Sequence, residues 1–171
     1  KLIHKLSEEP ISKFSDYINL ISIGRLTHQK GYDLAIEALK ILKDQGYNFT
    51  WYIMGDGEDK IELENNINNL GLSNNVVFLG IKENHYPYLN QADIFLHTAR
   101  FEGFGIVISE AKILGKPMVL TDFNVARSHI KHLETGLITE FTPKDIASKI
   151  EMLLVDKKLR DDLSNNISKI A

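Results

Sequence analysis

Cysteine is absent from this chain of 171 residues. No disulfide and no thiolate metal site can form, and a reducing compartment is the compatible setting. Long apolar runs are missing too: none reaches the roughly 18 residues that a bilayer-spanning helix needs. No signal peptide is visible. Positive charge is not in excess, since the formal net charge is -3 and no long basic run occurs. Nothing therefore favours a nucleic-acid partner. Internal repeats and low-complexity segments are lacking. The chain begins with Lys1 rather than Met and is expected to be a piece cut from a longer protein.

What is present is a soluble composition, with 43% hydrophobic and 25% charged residues. The length suits one domain with a sizeable core. Residues 1–18 show no clear period and read as a lead-in or linker. From 19 onward, apolar runs alternate with amphipathic segments. Strands are expected at 19–24, 49–55, 75–80, 93–98, 117–122 and 136–139. Helices are expected at 31–46, 58–71, 86–92, after Gly105, at 143–156 with Pro143 in the first turn, and from about 157. The strands are continuous apolar runs, which implies a sheet covered on both faces. An α/β fold follows: a mostly parallel, Rossmann-like sheet of about six strands with helices on both faces.

In such folds ligands bind beyond the carboxyl ends of the strands. After the first strand comes GRLTHQKG, Gly24 to Gly31, where Arg25 and Lys30 bring two cations to a helix N-terminus. They read either as a diphosphate clamp or as solvated surface charges. GDGE, Gly55 to Glu58, lacks the spacing of a phosphate loop and reads as a tight turn. GIKEN, Gly80 to Asn84, offers backbone groups to a pocket. The richest loop is HTARFEGFG, His97 to Gly105. Its glycines free N–H groups at a helix start, where phosphate oxygens dock well.

Glu110 falls about one and a half turns into that helix among Ile106, Val107, Ile108 and Ala111. A carboxylate there needs donors. Ribose hydroxyls would serve, as would a nearby Lys or Arg. Glu102 reads as a site acid or as a solvated loop acid near a positive helix end. His97 reads as a site residue or as a satisfied half-buried side chain. His28, His85, His129 and His132 lie in polar loops or helix flanks, without metal-ligand spacing, so no metal site is expected. Ser109 is not in a nucleophile elbow.

Taken in order, the blocks ISIGRLTHQKGYDLAIEAL, YIMGDGED, NVVFLG, LNQADIFLHTARFEGFGIVISEAKILGKPMVLTD and TGLI resemble the C-terminal, donor-binding domain of GT-B type glycosyltransferases of family 4 (group 1). The resemblance covers about residues 19–155, and the E-x7-E element from Glu102 to Glu110 is its most specific part. It implies one half of a GT-B fold and a retaining transfer from a nucleoside-diphosphate sugar, with no tightly bound cofactor and no metal. By resemblance, Arg25 and Lys30 hold the donor diphosphate. Phe104, Gly105 and Ile106 supply the loop that meets phosphate or sugar. Glu110 accepts hydrogen bonds from the ribose, Glu102 is the catalytic carboxylate placed near the transferred sugar, and the backbone at Ile81 and Lys82 meets the base. Two departures stand out. Pro-Ser is replaced before the EGFG run by His97-Thr98-Ala99-Arg100, and the Gly-Gly with a following Glu after the fifth strand is replaced by DFNVARSHI.

The resemblance further implies that residues 19–171 form the donor domain and that the N-terminal acceptor domain is absent. About 18 residues before the first strand are too few for one. The expected role is cell-surface polysaccharide or glycolipid synthesis, with this chain inactive or nearly so alone. The cytoplasm is the expected location, and any station at the inner membrane face would come through the missing half. Two other readings stand beside this one. Glu102 and Glu110 as a glycosidase pair would need carboxyls roughly 5–10 Å apart. A non-catalytic α/β nucleotide-binding or regulatory module would need no acceptor site.

Overall fold

The computed structural model describes residues 1–171. Its helices are α1 (Leu2–Leu6), α2 (Tyr32–Asp44), α3 (Lys60–Asn69), α4 (Tyr86–Gln91), α5 (Ile106–Ile113), α6 (Ala126–His129), α7 (Pro143–Val155) and α8 (Lys157–Ile170). Its strands are β1 (Ile18–Ile23), β2 (Phe49–Met54), β3 (Val76–Gly80), β4 (Ile94–His97), β5 (Met118–Thr121) and β6 (Leu137–Thr139). They form one six-stranded sheet in the order β3-β2-β1-β4-β5-β6, with every pairing parallel. No helix is long and apolar enough to cross a membrane.

The apolar runs explain the sheet. β2, β4 and β5 are buried along their whole length, as strands covered on both faces must be. β3 differs from expectation: it is one of the two sheet edges and keeps Val77 exposed. One core lies under α2, α3 and α7 and contains Trp51, Leu39 and Ile150. The other lies on the opposite face and contains Phe95, Ile108 and Ile167. Burial of such side chains stabilises by roughly 1.5–3 kcal/mol each. The one buried indole is satisfied: Trp51 Nε1 donates to Ser22 Oγ at 2.9 Å, and Ser22 Oγ donates to the Leu96 carbonyl at 2.6 Å. This chain of bonds ties β2, β1 and β4 together.

Two short helices escape the sequence reading. α1 buries no residue, and α6 has one turn. The lead-in also packs closely on the domain. Phe14 is buried, stacks on Tyr52 with centroids 3.8 Å apart, and donates its N–H to Gln91 Oε1.

The strand order reverses direction between β1 and β4, which leaves a crevice beyond their carboxyl ends. The loops Gly24–Gly31 and Thr98–Gly105 flank it. The GDGE turn braces the first of them. A Cβ on Gly55 would stand 2.0 Å from the Gly24 carbonyl oxygen, so only glycine permits this approach. Leu26 N–H donates to the Asp56 carbonyl and Asp59 N–H donates to that of Leu26, both at 3.0 Å.

Candidate functional site

The two crevice loops are stapled together. Arg100 bonds both oxygens of Asp33, at 2.9 and 2.7 Å, and also donates to the His28 carbonyl at 2.7 Å. That fork holds the Asp33 carboxyl below the usual carboxylate range. Gln29 Nε2 donates to the Phe101 carbonyl at 3.0 Å, and Thr98 Oγ1 donates to that of Gly31 at 2.8 Å. Gly31 has a φ of 66°, and a Cβ there would meet the Thr98 carbonyl oxygen at 1.9 Å.

Within this frame Lys30 Nζ reaches Glu102 Oε1 at 2.5 Å, and His97 Nε2 reaches the same oxygen at 2.9 Å. Glu102 is only 6% exposed, so it is not a solvated loop acid. Burial works against its ionisation, but the bonds from His97 and Lys30 outweigh it and hold the pKa at about 2. The second oxygen, Oε2, has no protein partner. His97 is fully buried rather than half-buried, between Phe95 and Phe123. Tyr32 donates to the Gly24 carbonyl at 2.9 Å; burial, then the Glu102 charge, push its phenol well up.

The backbone of Glu102 is held from the other side. Asn124 Oδ1 accepts its N–H at 3.1 Å, and Asn124 Nδ2 donates to its carbonyl at 2.8 Å. Asn124 belongs to DFNVARSHI, so the segment that departs from the family pattern still braces this loop. Arg25 stands at the mouth, exposed and without a carboxylate partner. An open cleft of about 670 Å³ joins it to Lys30, Glu58, Glu102 and Gly103.

Next to this cluster, α5 begins without a side-chain cap. The N–H groups of Phe104, Gly105 and Ile106 have no hydrogen-bond partner in the chain. Gly105 has a φ of 66°, and His129 Nε2 lies 2.7 Å from where a Cβ would be. That nitrogen donates to the Phe104 carbonyl at 3.2 Å, and burial lowers the His129 pKa. Phe104 is 90% exposed, and Ile106 is exposed beside it.

Glu110 is set apart from Glu102 and shares no partner with it. It is buried on α5, and its donors are neither Lys nor Arg. His85 Nε2 stands 3.1 Å from each of its oxygens. Tyr86 approaches the same carboxylate; that contact, with burial, pushes the phenol up to about 12. Ile81 and Lys82 lie exposed on the loop after β3, with Lys82 Nζ 5.6 Å from the centre of the Tyr88 ring. No three His, Asp or Glu side chains are arranged to hold a metal ion.

The structure thus brings Lys30 and Glu102 together, with Arg25 at the same mouth. Glu110 lies behind the start of α5, and Ile81 and Lys82 lie on a neighbouring loop. Sequence reasoning missed His97 as a partner of Glu102, Asn124 as its brace, and His85 and Tyr86 as partners of Glu110. Only His97 had a local signal, five residues before Glu102 at a strand end.

The sequence profile described as glycosyl transferases group 1 matches residues 5–170. The chain is 31% identical over 169 residues to the capsular polysaccharide biosynthesis glycosyltransferase CapM of Staphylococcus aureus, covering 95% of this chain and 43% of that protein. Among solved structures it is similar to HepE of Anabaena in complex with UDP-glucose, with TM-score 0.83 and 29% identity over 91% of this chain and 44% of the other. It also matches the C-terminal domain of the group 1 glycosyl transferase LpcC of Francisella tularensis, with TM-score 0.83 and 26% identity over 92% of this chain and 85% of that one. The chain spans less than half the length of the curated relatives it matches.

Proposed function

This chain belongs to the glycosyl transferases group 1 family, and on that premise we propose that it is the donor half of a retaining enzyme that moves a sugar from a nucleoside-diphosphate sugar to an acceptor. The observation that carries the reading is the meeting of Lys30 and Glu102 at the crevice, with Arg25 unpaired beside them and the uncapped start of α5 adjacent.

The donor lies across these groups. Its diphosphate meets Arg25, Lys30 and the N–H groups at Phe104, Gly105 and Ile106. These charges and dipoles stabilise the leaving diphosphate as its bond to the sugar breaks. Glu110 accepts the ribose hydroxyls, and the backbone at Ile81 and Lys82 meets the base. With its pKa at about 2, Glu102 is ionised at neutral pH and holds no proton to donate. Its role is that of a fixed carboxylate. Oε2 accepts from a sugar hydroxyl, and the negative charge stabilises the positive charge that develops on the sugar carbon. Nothing about the pair requires the acid and base of a glycosidase.

The complex of Anabaena HepE with UDP-glucose favours uridine as the base. The likeness to the capsular transferase favours a role in surface-polysaccharide synthesis. The acceptor is held by the rest of the full-length protein, so this chain alone binds donor and transfers little sugar.

Calorimetric titration with UDP, GDP and ADP tests the reading. Binding of one of them in preference to the others is expected. No heat with any of the three, at concentrations up to the millimolar range, would count decisively against it.

A further inference from the structure

We propose that His85 is a specificity-determining residue of the donor site, placed on the edge of Glu110 that the ribose hydroxyls must take. The inference rests on the donor reading above.

The geometry is unusual for an ordinary ion pair. His85 Nε2 is 3.1 Å from Oε1 and 3.1 Å from Oε2 of Glu110. A single N–H placed equally between two carboxylate oxygens sits on the edge that faces outward from both. Two adjacent hydroxyls of a ribose bind a carboxylate along that same edge, one to each oxygen. The imidazole and the ribose therefore exclude one another. Both reach an acid that is itself only 8% exposed. The exchange is favourable only for a ligand that brings two donors, because it replaces one shared hydrogen bond by two separate ones.

The chain around His85 has few backbone ties. No backbone N–H from Ile81 to His85 is hydrogen-bonded within the chain. Ile81, Lys82 and Glu83 are exposed. Before the segment, Gly80 accepts from Gly55 N–H at 2.9 Å; within it, Asn84 is tied by its side chain, Nδ2 donating to the Leu6 carbonyl at 2.9 Å. Leu89, in α4, is fully buried. Release of Glu110 can be met by rotation of the His85 side chain and a small shift of residues 81–83. That segment is also the one read as meeting the base, so ribose capture and base contact are coupled through it.

Three measurements on the intact chain test this. The first is the affinity of His85→Ala for UDP. A site whose ligand-ready form is only a minor fraction gains affinity in proportion when the competitor is removed, so tightening of about three- to tenfold is expected. Inorganic pyrophosphate, which has no ribose, should bind both proteins alike. Second, the same substitution placed on Glu110→Ala should leave UDP affinity unchanged. Third, the imidazole resonances of His85, assigned by their loss in His85→Ala, should shift on saturation with UDP and stay in place with pyrophosphate.

Weaker or unchanged UDP binding by His85→Ala overturns the proposal, since it would make His85 a support of Glu110 or a bystander. So does a His85 signal that saturating UDP leaves in place. If UDP binds and His85 is indifferent, the donor reading stands and only this inference falls. If UDP, GDP and ADP all fail to bind, both fall together.

Discussion

Lys30 and Glu102 stand 72 residues apart in the chain, and their side chains meet at 2.5 Å. The pair joins the two loops that flank the crevice beyond β1 and β4 and fixes the charge state of Glu102. Substitution of Glu102 by Gln leaves the Lys30 ammonium without its counter-charge. Loss of roughly 2–4 kcal/mol at neutral pH is expected, toward the low end for broken buried pairs because Lys30 can turn to solvent.

The same pair has a pH signature. The Glu102 carboxyl titrates at about 2 in the folded protein against an ordinary value of 4.5. Its contribution is complete above 4.5 and is lost as pH falls toward 2. Thermal unfolding of the wild type and of Glu102→Gln should therefore show a gap in Tm that narrows across that acid window. A gap constant from neutral pH to pH 2 would contradict the ionised, paired state.

Gly31→Ala should be among the most damaging substitutions. The new Cβ would lie 1.9 Å from a backbone oxygen at a φ of 66°, so the Thr98 strand end or the start of α2 must move. A loss of about 3 kcal/mol or more in urea unfolding is expected. Nucleotide binding should weaken with it, because Lys30 is the preceding residue.

Leu133 supplies the opposite case. It is the one non-glycine residue with positive φ, at 68°, and it is 54% exposed. Its side chain gains little burial to offset a conformation that costs about 1–2 kcal/mol for most residues. Leu133→Asn should stabilise the domain by about 1 kcal/mol, because Asn tolerates that conformation. Leu133→Val should destabilise it. Chemical denaturation of both variants decides the matter.

Arg25→Ala separates binding from folding. The side chain is exposed and pairs with no carboxylate, so stability should change by less than about 0.5 kcal/mol. Affinity for a nucleoside diphosphate should fall roughly tenfold, and the wild-type advantage should shrink as salt is raised.

The six parallel strands were legible because each is a short apolar run bounded by turn residues, as in FTWYIM or MVLT. Pro143 and Thr142 marked the start of α7, where Thr142 accepts the Asp145 N–H as a cap. α1 was not legible, since a helix of five residues with nothing buried has no period to read. Phe14 stood in a stretch without a readable period, and its place in the core depends on Tyr52, far along the chain. The site was legible as residue types at strand ends, and its pairings were not. Glu110 was expected among Lys, Arg or ribose donors, and its protein partners are His85, 25 residues away, and the neighbouring Tyr86. Nothing local distinguishes His85 from His28 or His132. Asn124 was hidden in a segment notable only for departing from the family pattern.

The most direct test of the account is the Glu110→Ala variant titrated with UDP and with inorganic pyrophosphate. In the proposed donor site Glu110 holds the ribose, and Arg25, Lys30 and the start of α5 hold the diphosphate. UDP affinity should fall by about tenfold or more while pyrophosphate binds as it does to the wild type. An equal loss for both ligands, or no loss for UDP, would contradict it.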